Sequence, residues 1–272
     1  MPCKLLAFDL DGTLLNDSGE LTPGNMAAIR RAKEAGLNVI IASGRSHSSI
    51  SKFNQALGLT CENSFGISFN GAVVYKTATM EILHETRLGR AECEKIYKAV
   101  KAYDPDAPLI LYTPRGDKVY YEVENANIDK YYQHTNMRWQ RVPSLLELTT
   151  EGAAKFLVRQ EPEEIIRMQD AISAELSDVC ELVSSAPHLL EFGVRGNNKA
   201  CGLKFLTDYL GINMEEVATA GDNYNDLEMI EAAGVGFAVA NAVDELKAVA
   251  DYVTVRDNNT DVAEEIIAQV LK

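Results

Sequence analysis

Lys4-Leu5-Leu6-Ala7-Phe8-Asp9-Leu10-Asp11-Gly12-Thr13-Leu14-Leu15 is an apolar run broken by two aspartates one residue apart and then by a Gly-Thr turn. Apolar residues flanking both aspartates mark a parallel strand buried on both faces, with an acidic carboxyl end. In open α/β sheets ligands bind at that end of the strand. Residues two apart on a strand point the same way, so both carboxylates face one site. Two like charges repel by roughly 4 kcal/mol at about 4 Å in a medium of effective dielectric near 20. Such a pair needs a cation. Taken alone, Asp-x-Asp-Gly reads more readily as a capped turn ahead of a helix.

A second acidic cluster reverses that preference. Val217-Ala218-Thr219-Ala220-Gly221-Asp222-Asn223-Tyr224-Asn225-Asp226 is again a short apolar strand that breaks into glycine, carboxylates and amides, with a helix starting near Asp226. If the two strands are neighbours, Asp222, Asn225 and Asp226 crowd the same strand ends as Asp9 and Asp11. Oxygen ligands without a partnering His or Cys indicate a hard cation, Mg²⁺ rather than Zn²⁺. Magnesium held by a few carboxylates keeps positions open for water and phosphate, so a phosphate is the expected guest.

Two further elements supply donors. Val39-Ile40-Ile41-Ala42-Ser43-Gly44-Arg45 is a third apolar strand ending in small groups, and a helix begins near Ser46 or Ser48. Ser43 and the Gly44 amide suit phosphate oxygens, with the helix N-terminus behind them, although alone they read as a turn. Lys199 opens a helix with apolar positions at Ala200, Leu203, Leu206 and Leu210, stopped by Gly211. A lysine there opposes the helix dipole by a few tenths of a kcal/mol, so stability does not explain its place. Lys204, beside Thr207 and Asp208, belongs on a solvated face.

In order, Asp9-Leu10-Asp11-Gly12-Thr13, Ser43-Gly44-Arg45, Lys199 and Gly221-Asp222-x-x-Asn225-Asp226 resemble the four motifs of the haloacid dehalogenase (HAD) superfamily of phosphohydrolases. Their spacing is similar to that of the Cof-type subgroup of sugar-phosphate phosphatases, as are Asn70-Gly71-Ala72 and Ser185-Ala186-Pro187. The resemblance spans essentially the whole chain. One departure is Ala200, where the family carries glycine after the third-motif lysine.

The resemblance, together with the residue types, implies a mechanism. Asp9 is the expected nucleophile, forming an aspartyl-phosphate. Asp11 is the expected general acid, and then the base for the hydrolytic water. Asp9, the backbone carbonyl of Asp11 and Asp222 are expected to hold Mg²⁺. Asp226 completes the acidic set by orienting Lys199 or a metal-bound water. Ser43, Gly44, Lys199, Asn225 and the Leu10 amide are expected to hold phosphate oxygens. Arg45 fits either a substrate contact or a salt bridge from cap to core.

Composition agrees with that chemistry. The chain has 272 residues, 46% of them hydrophobic, and a formal net charge of −14. So acidic a chain is not expected to bind nucleic acid. The N-terminal apolar run ends at Asp9 and reads as neither signal peptide nor membrane span. Five scattered cysteines without a C-x-x-C pair indicate reduced thiols and a cytoplasmic setting. A monomer or weak homodimer acting on a small phosphorylated metabolite is the expected form.

Secondary-structure signals alternate along the chain. Thr22-Pro23 opens a helix that Gly36 ends, followed by a strand at Asn38–Ala42, a helix near Ser48–Leu57 and a strand at Phe65–Phe69. Asn70-Gly71 signals a hairpin to Ala72–Tyr75. From about Leu83 the texture changes to a helix at Ala91–Tyr103, strands at Leu109–Thr113 and Val119–Val123, and a helix near Ile128–Gln133. A strand at Lys155–Val158, a helix at Pro162–Leu176 and strands at Cys180–Ser184 and Leu189–Phe192 follow. Strict alternation then returns, through Val235–Val239, to a last helix at Thr260–Leu271. The fold class is thus α/β, a doubly wound and mostly parallel core of residues 1–83 and 190–272, with an α/β cap of residues 84–189 inserted.

The cap holds no motif, so it is expected to select substrate while the core does the chemistry. Arg115-Gly116-Asp117 reads as a hairpin turn rather than an adhesion signal. Tyr112, Tyr120, Tyr121, Tyr131, Tyr132 and Trp139 read mostly as packing, and His47, His84, His134 and His188 show no ligand spacing. Three other readings stay open: a phosphotransferase or mutase on the same scaffold, a phospho-accepting signalling receiver, and a catalytically silent metabolite-binding protein.

Overall fold

The computed structural model describes residues 3–124, 126–128 and 137–272. Two compact units emerge, one of residues 1–84 and 198–272, the other of residues 85–197.

The first unit is built on an eight-stranded sheet. Its strands are β1 (Leu5–Phe8), β2 (Asn38–Ala42), β3 (Phe65–Ser68), β4 (Val73–Lys76), β5 (Ile82–Glu85), β12 (Val217–Gly221), β13 (Val235–Ala238) and β14 (Tyr252–Val253). They run in the order β14-β13-β12-β1-β2-β3-β4-β5. The fully buried β1 pairs in parallel with β12, Leu5 opposite Val217, and with β2, Leu5 opposite Asn38. The chain therefore winds outward from β1 in one direction through β2 and β3, and in the other through β12, β13 and β14. That reversal is the switch point at which open α/β sheets bind ligands.

Both faces of the sheet are covered. On one, Leu6, Phe8, Ile41 and Phe237 pack with residues of α1 (Pro23–Glu34), α2 (His47–Ala56) and α8 (Val262–Val270). On the other, Leu5, Ala7, Ile40 and Ile67 pack with Leu203 and Leu206 of α5 (Lys199–Leu210) and Met229 of α6 (Leu227–Ala232). Double coverage explains why these strands read as unbroken apolar runs. Thr22 caps α1 by accepting the Asn25 amide, with Pro23 in the first turn.

The second unit carries a six-stranded sheet of β6 (Leu109–Tyr112), β7 (Lys118–Tyr121), β8 (Arg138–Arg141), β9 (Lys155–Arg159), β10 (Glu181–Ala186) and β11 (Leu189–Gly193), in the order β10-β11-β9-β6-β7-β8. Helices α3 (Arg90–Tyr103) and α4 (Pro162–Leu176) add Ile96, Val100, Ile165, Met168 and Ile172 to a core shared with Leu109, Leu111, Phe156, Val158, Leu190 and Phe192. That core draws only on residues of this unit. Arg115-Gly116-Asp117 lies in the β6–β7 connection, where Gly116 has φ +58° and its amide donates to the Thr113 carbonyl.

Several boundaries differ from those expected. The chain returns to the first unit at Asn198 rather than at 190, because β11 pairs with both β9 and β10 and buries Leu190 and Phe192 in the second core. The β3–β4 hairpin forms, but a four-residue turn, Phe69 to Ala72, replaces a two-residue one, with Ser68 opposite Val73. Strands β5, β8 and β14 carried no readable signal, being short and partly or largely exposed. Beyond Ile128, the expected helix toward Gln133, with Tyr131, Tyr132 and His134, lies outside the described residues.

The turn after β3 fixes the entry of α5. Gly71 has φ +94°, and a β-carbon there would lie 1.9 Å from the Asn198 carbonyl oxygen, while one on Gly202 would lie 2.9 Å from the Gly71 Cα. The close approach that a glycine serves in this helix therefore falls at Gly202, and Ala200 is only half-buried. Gly71→Ala is expected to cost more than about 2 kcal/mol, since the backbone cannot yield. Ala200→Gly should stay within about 1 kcal/mol, the helix-propensity difference. Urea unfolding of the two variants checks this.

Candidate active site

The site forms where β1 and β12 end side by side. The Asp9 amide donates to the Ala220 carbonyl, carrying the parallel ladder one residue past β1 and fixing the Asp9 backbone beside β12. The chain then turns sharply at Gly12, with φ +76°. A β-carbon on Gly12 would sit 2.4 Å from Asp222 Oδ2, so this turn and the end of β12 are in contact only because Gly12 has no side chain. Thr13 extends that contact, its hydroxyl donating to Asp222 Oδ1 at 3.2 Å.

Three carboxylates converge there. Oxygens of Asp9, Asp222 and Asp226 lie within 4.8 Å of one another. Asn198 caps α5 by accepting the Cys201 amide, and the helix delivers Lys199 into the cluster fully buried. Its ammonium donates to Asp9 Oδ1 at 2.5 Å and to Asp226 Oδ1 at 2.6 Å. Asp226 Oδ2 accepts the backbone amides of Asp222 and Asn223 at 3.1 and 3.2 Å. Both oxygens of this buried carboxylate are thus engaged by the protein, and its structural effect is to hold Lys199 and shape the loop after β12.

Electrostatics follow from this crowding. Burial raises the Asp9 carboxyl well above its ordinary range; Lys199 pulls the other way, and the Asp226, Asp222 and Asp11 charges add to the rise. Burial, then the Asp226 charge, lift Asp222 to about 6 against the opposing pull of Lys199 and the Thr13 hydroxyl. Burial alone would depress the Lys199 ammonium, but the Asp226 and Asp9 carboxylates more than reverse that and raise it. If all were ionised, three carboxylates and one ammonium would leave two negative charges unmatched. An all-oxygen set short of positive charge suits a hard divalent cation.

Hydrogen bonds tie the loop after β2, the turn after β3 and the loop after β12 to one another. Ser43, buried beyond the end of β2, accepts the Arg45 amide on its hydroxyl at 3.2 Å. The Ser43 and Arg45 carbonyls accept the Asn70 and Phe69 amides, which lashes this loop to the turn after β3. Asn225 donates to Asn70 Oδ1 at 3.0 Å, so Asn70, with φ +52°, links the second and fourth motifs. Leu10 is fully buried. Lys204 lies on an exposed helix face, paired with Asp208.

Arg45 meets a carboxylate of the first motif. Its bidentate partner is Asp11, Nε to Oδ2 at 2.7 Å and Nη2 to Oδ1 at 2.6 Å, a pairing inside the first unit. Asp11 is half-exposed and its carboxylate stands apart from the three clustered ones. Thr13 and Asn70 were not singled out as site residues in the sequence. Thr13 sits inside the first motif and Asn70 in a turn dipeptide, so only the pairing of distant strands gives either a partner. Among the described residues, no histidine joins the carboxylate cluster.

Comparison with known proteins defines the class. Residues 6–266 match the family of haloacid dehalogenase-like hydrolases, and the chain belongs to that family. It is 32% identical over 267 residues to the 5-amino-6-(5-phospho-D-ribitylamino)uracil phosphatase YitU of Bacillus subtilis, covering 95% of this chain and 94% of the relative. It is 30% identical over 269 residues to the pyridoxal phosphate phosphatase YbhA of Escherichia coli, covering 96% of each. A haloacid dehalogenase-like hydrolase from Bacteroides thetaiotaomicron has the same fold, with a TM-score of 0.89 at 28% identity over 98% of this chain and 99% of its own. Within the family the protein is a phosphatase.

The raised Asp222 carboxyl has a thermodynamic consequence in metal-free protein. An acid with a higher pKa folded than unfolded (about 6 against an ordinary value near 3.9) favours folding while protonated. That contribution is complete below the unfolded pKa and is lost as pH rises through the folded one. In excess chelator, Asp222→Asn should therefore gain thermal stability relative to the parent chain between pH 5 and pH 7.5. Melting curves at the two pH values test this, and a constant gap would contradict it.

Proposed function

We propose that the protein is a Mg²⁺-dependent phosphatase of small phosphorylated metabolites that works through a phosphoryl group carried on Asp9. The observation that supports this most is the buried Lys199 ammonium clamped between Asp9 and Asp226, beside the unpaired charge of Asp222. Asp9 has one oxygen held by Lys199 and lies in the buried cluster with Asp222 and Asp226.

Asp9 attacks phosphorus in line, splitting one difficult displacement into two easier ones. Asp11 gives a proton to the departing alkoxide and later takes one from the hydrolytic water. Arg45 grips both Asp11 oxygens, and each oxygen keeps a second lone pair for a proton. Ser43, the Gly44 and Leu10 amides, Lys199 and Asn225 surround the phosphoryl oxygens with donors, and preorganised donors favour the charge that develops there. Asp9, Asp222 and the Asp11 backbone carbonyl are the groups for Mg²⁺, which when bound neutralises charge between the nucleophile and the phosphate. Asp226, with both oxygens engaged, acts by orienting Lys199.

Residues 85–197 contain none of these groups, and we assign them the choice of substrate. The family resemblance favours sugar phosphates. YitU and YbhA, named for a ribitylaminouracil phosphate and for pyridoxal phosphate, widen the range to phosphorylated heterocycles. Five cysteines outside disulfides, two of them exposed, suit a reducing cytoplasm. A net charge of −14 disfavours nucleic acid. No helix among the described residues is long and apolar enough to cross a membrane. A monomer or weak homodimer suffices for this chemistry.

Phosphate release across a panel of phosphorylated metabolites, with and without Mg²⁺, is the direct test. Activity should vanish in chelator and return better with Mg²⁺ than with Ca²⁺, which is larger and takes more oxygen ligands. Transfer to a sugar in place of free phosphate would make the protein a phosphotransferase instead. Asp9→Asn should abolish turnover with the fold intact, and a tenth of parental activity remaining would refute the covalent route. Lys199→Ala should lower kcat by about 10²–10³, whereas Lys204→Ala should behave as a surface change. Equal losses at the two lysines would contradict the assignment.

A further inference from the structure

We infer that Asn241 is a positioning residue that braces the turn carrying Asp11 and so holds the reactive carboxylates in place. This rests on the phosphatase reading above. The turn leaves the end of β1, and its carbonyls beyond that strand need partners. Three of them accept from asparagine side chains. Asn241 Nδ2 donates to the Gly12 carbonyl at 2.8 Å, Asn25 Nδ2 to the Leu14 carbonyl at 3.0 Å, and Asn258 Nδ2 to the Leu15 carbonyl at 3.0 Å.

In two of the three, the carboxamide oxygen takes a backbone amide from another segment. Asn25 Oδ1 accepts the Ala263 amide at 2.9 Å, and Asn241 Oδ1 accepts the Asn258 amide at 3.0 Å. Asparagine suits this because its carboxamide carries a donor and an acceptor on one short stem. Aspartate would turn the donor that holds the turn into an acceptor.

Asn25 and Asn258 are buried and serve packing as well, but Asn241 is exposed and touches polar backbone at the site. Its grip falls on Gly12, the residue wedged against Asp222. A shift of the Gly12 carbonyl moves the Asp11 backbone on one side and the Asp222 carboxylate on the other. Such outer-sphere partners change activity by about 10- to 100-fold when removed.

The test compares full-length Asn241→Ala and Asn241→Asp with the parent chain on p-nitrophenyl phosphate with Mg²⁺. Both variants should lose about tenfold or more in kcat with KM within about twofold. Melting temperatures should stay within about 2 °C. Amide hydrogen exchange should quicken in the peptide spanning residues 9–16 in both variants, and at Asn258 in Asn241→Ala alone, which removes the acceptor of that amide. Any one of four results would overturn the inference. These are kcat within about twofold of parental, an Asn241→Asp variant as active as the parent beside a weak Asn241→Ala, unchanged exchange at residues 9–16, or activity lost only in step with global melting. If the parent chain releases no phosphate, the phosphatase reading fails, and the exchange measurement still judges the brace.

Discussion

One ammonium buried among carboxylates organises this protein. Lys199 has no exposed surface, and stripping water from a charge costs several kcal/mol unless hydrogen-bonded partners of opposite sign replace it. Asp9 and Asp226 are those partners. The requirement reaches outward from there. Asp226 must hold its second oxygen on the Asp222 and Asn223 amides, the turn at Asn198 must deliver the helix at one angle, and Gly71 must lack a side chain to let it in. Removing both carboxylates would strand the ammonium, whereas removing one leaves it the other, and removing the ammonium would leave two buried acids without their cation. Fold and chemistry share this constraint.

That sharing explains why so much of the site could be read in the chain. Asp9, Lys199 and Asp222 stand at strand or helix ends, where hydrophobic periodicity breaks abruptly into polar residues. Such breaks survive in a one-dimensional pattern. The double coverage of the first sheet was equally readable, because β1 and β2 have apolar residues on both faces.

Less visible were features that depend on which distant strands pair. The Arg45–Asp11 fork joins residues 34 apart, and the Thr13–Asp222 hydrogen bond joins residues 209 apart. Neither has a local signature. β8 and β14 were hidden for another reason: both have exposed residues and too little apolar alternation to mark a strand. The end of the inserted unit was misplaced by eight residues because β11 has the same apolar texture as a core strand. Only its pairing with β9 and β10 assigns it to the second sheet.

The two-unit layout also dictates an order of events during synthesis. Residues 85–197 are contiguous and enclose their own core, so this unit is complete once it leaves the ribosome. The first unit is not. Its central strand β1 must wait for β12, more than two hundred residues later, to fill one side of its ladder. Until then an apolar strand edge stands open, the kind of surface that pairs with the wrong neighbour. Lys199, Asp222 and Asp226 arrive on that same late segment. The chain therefore closes its most vulnerable edge and assembles its reactive centre in one terminal step.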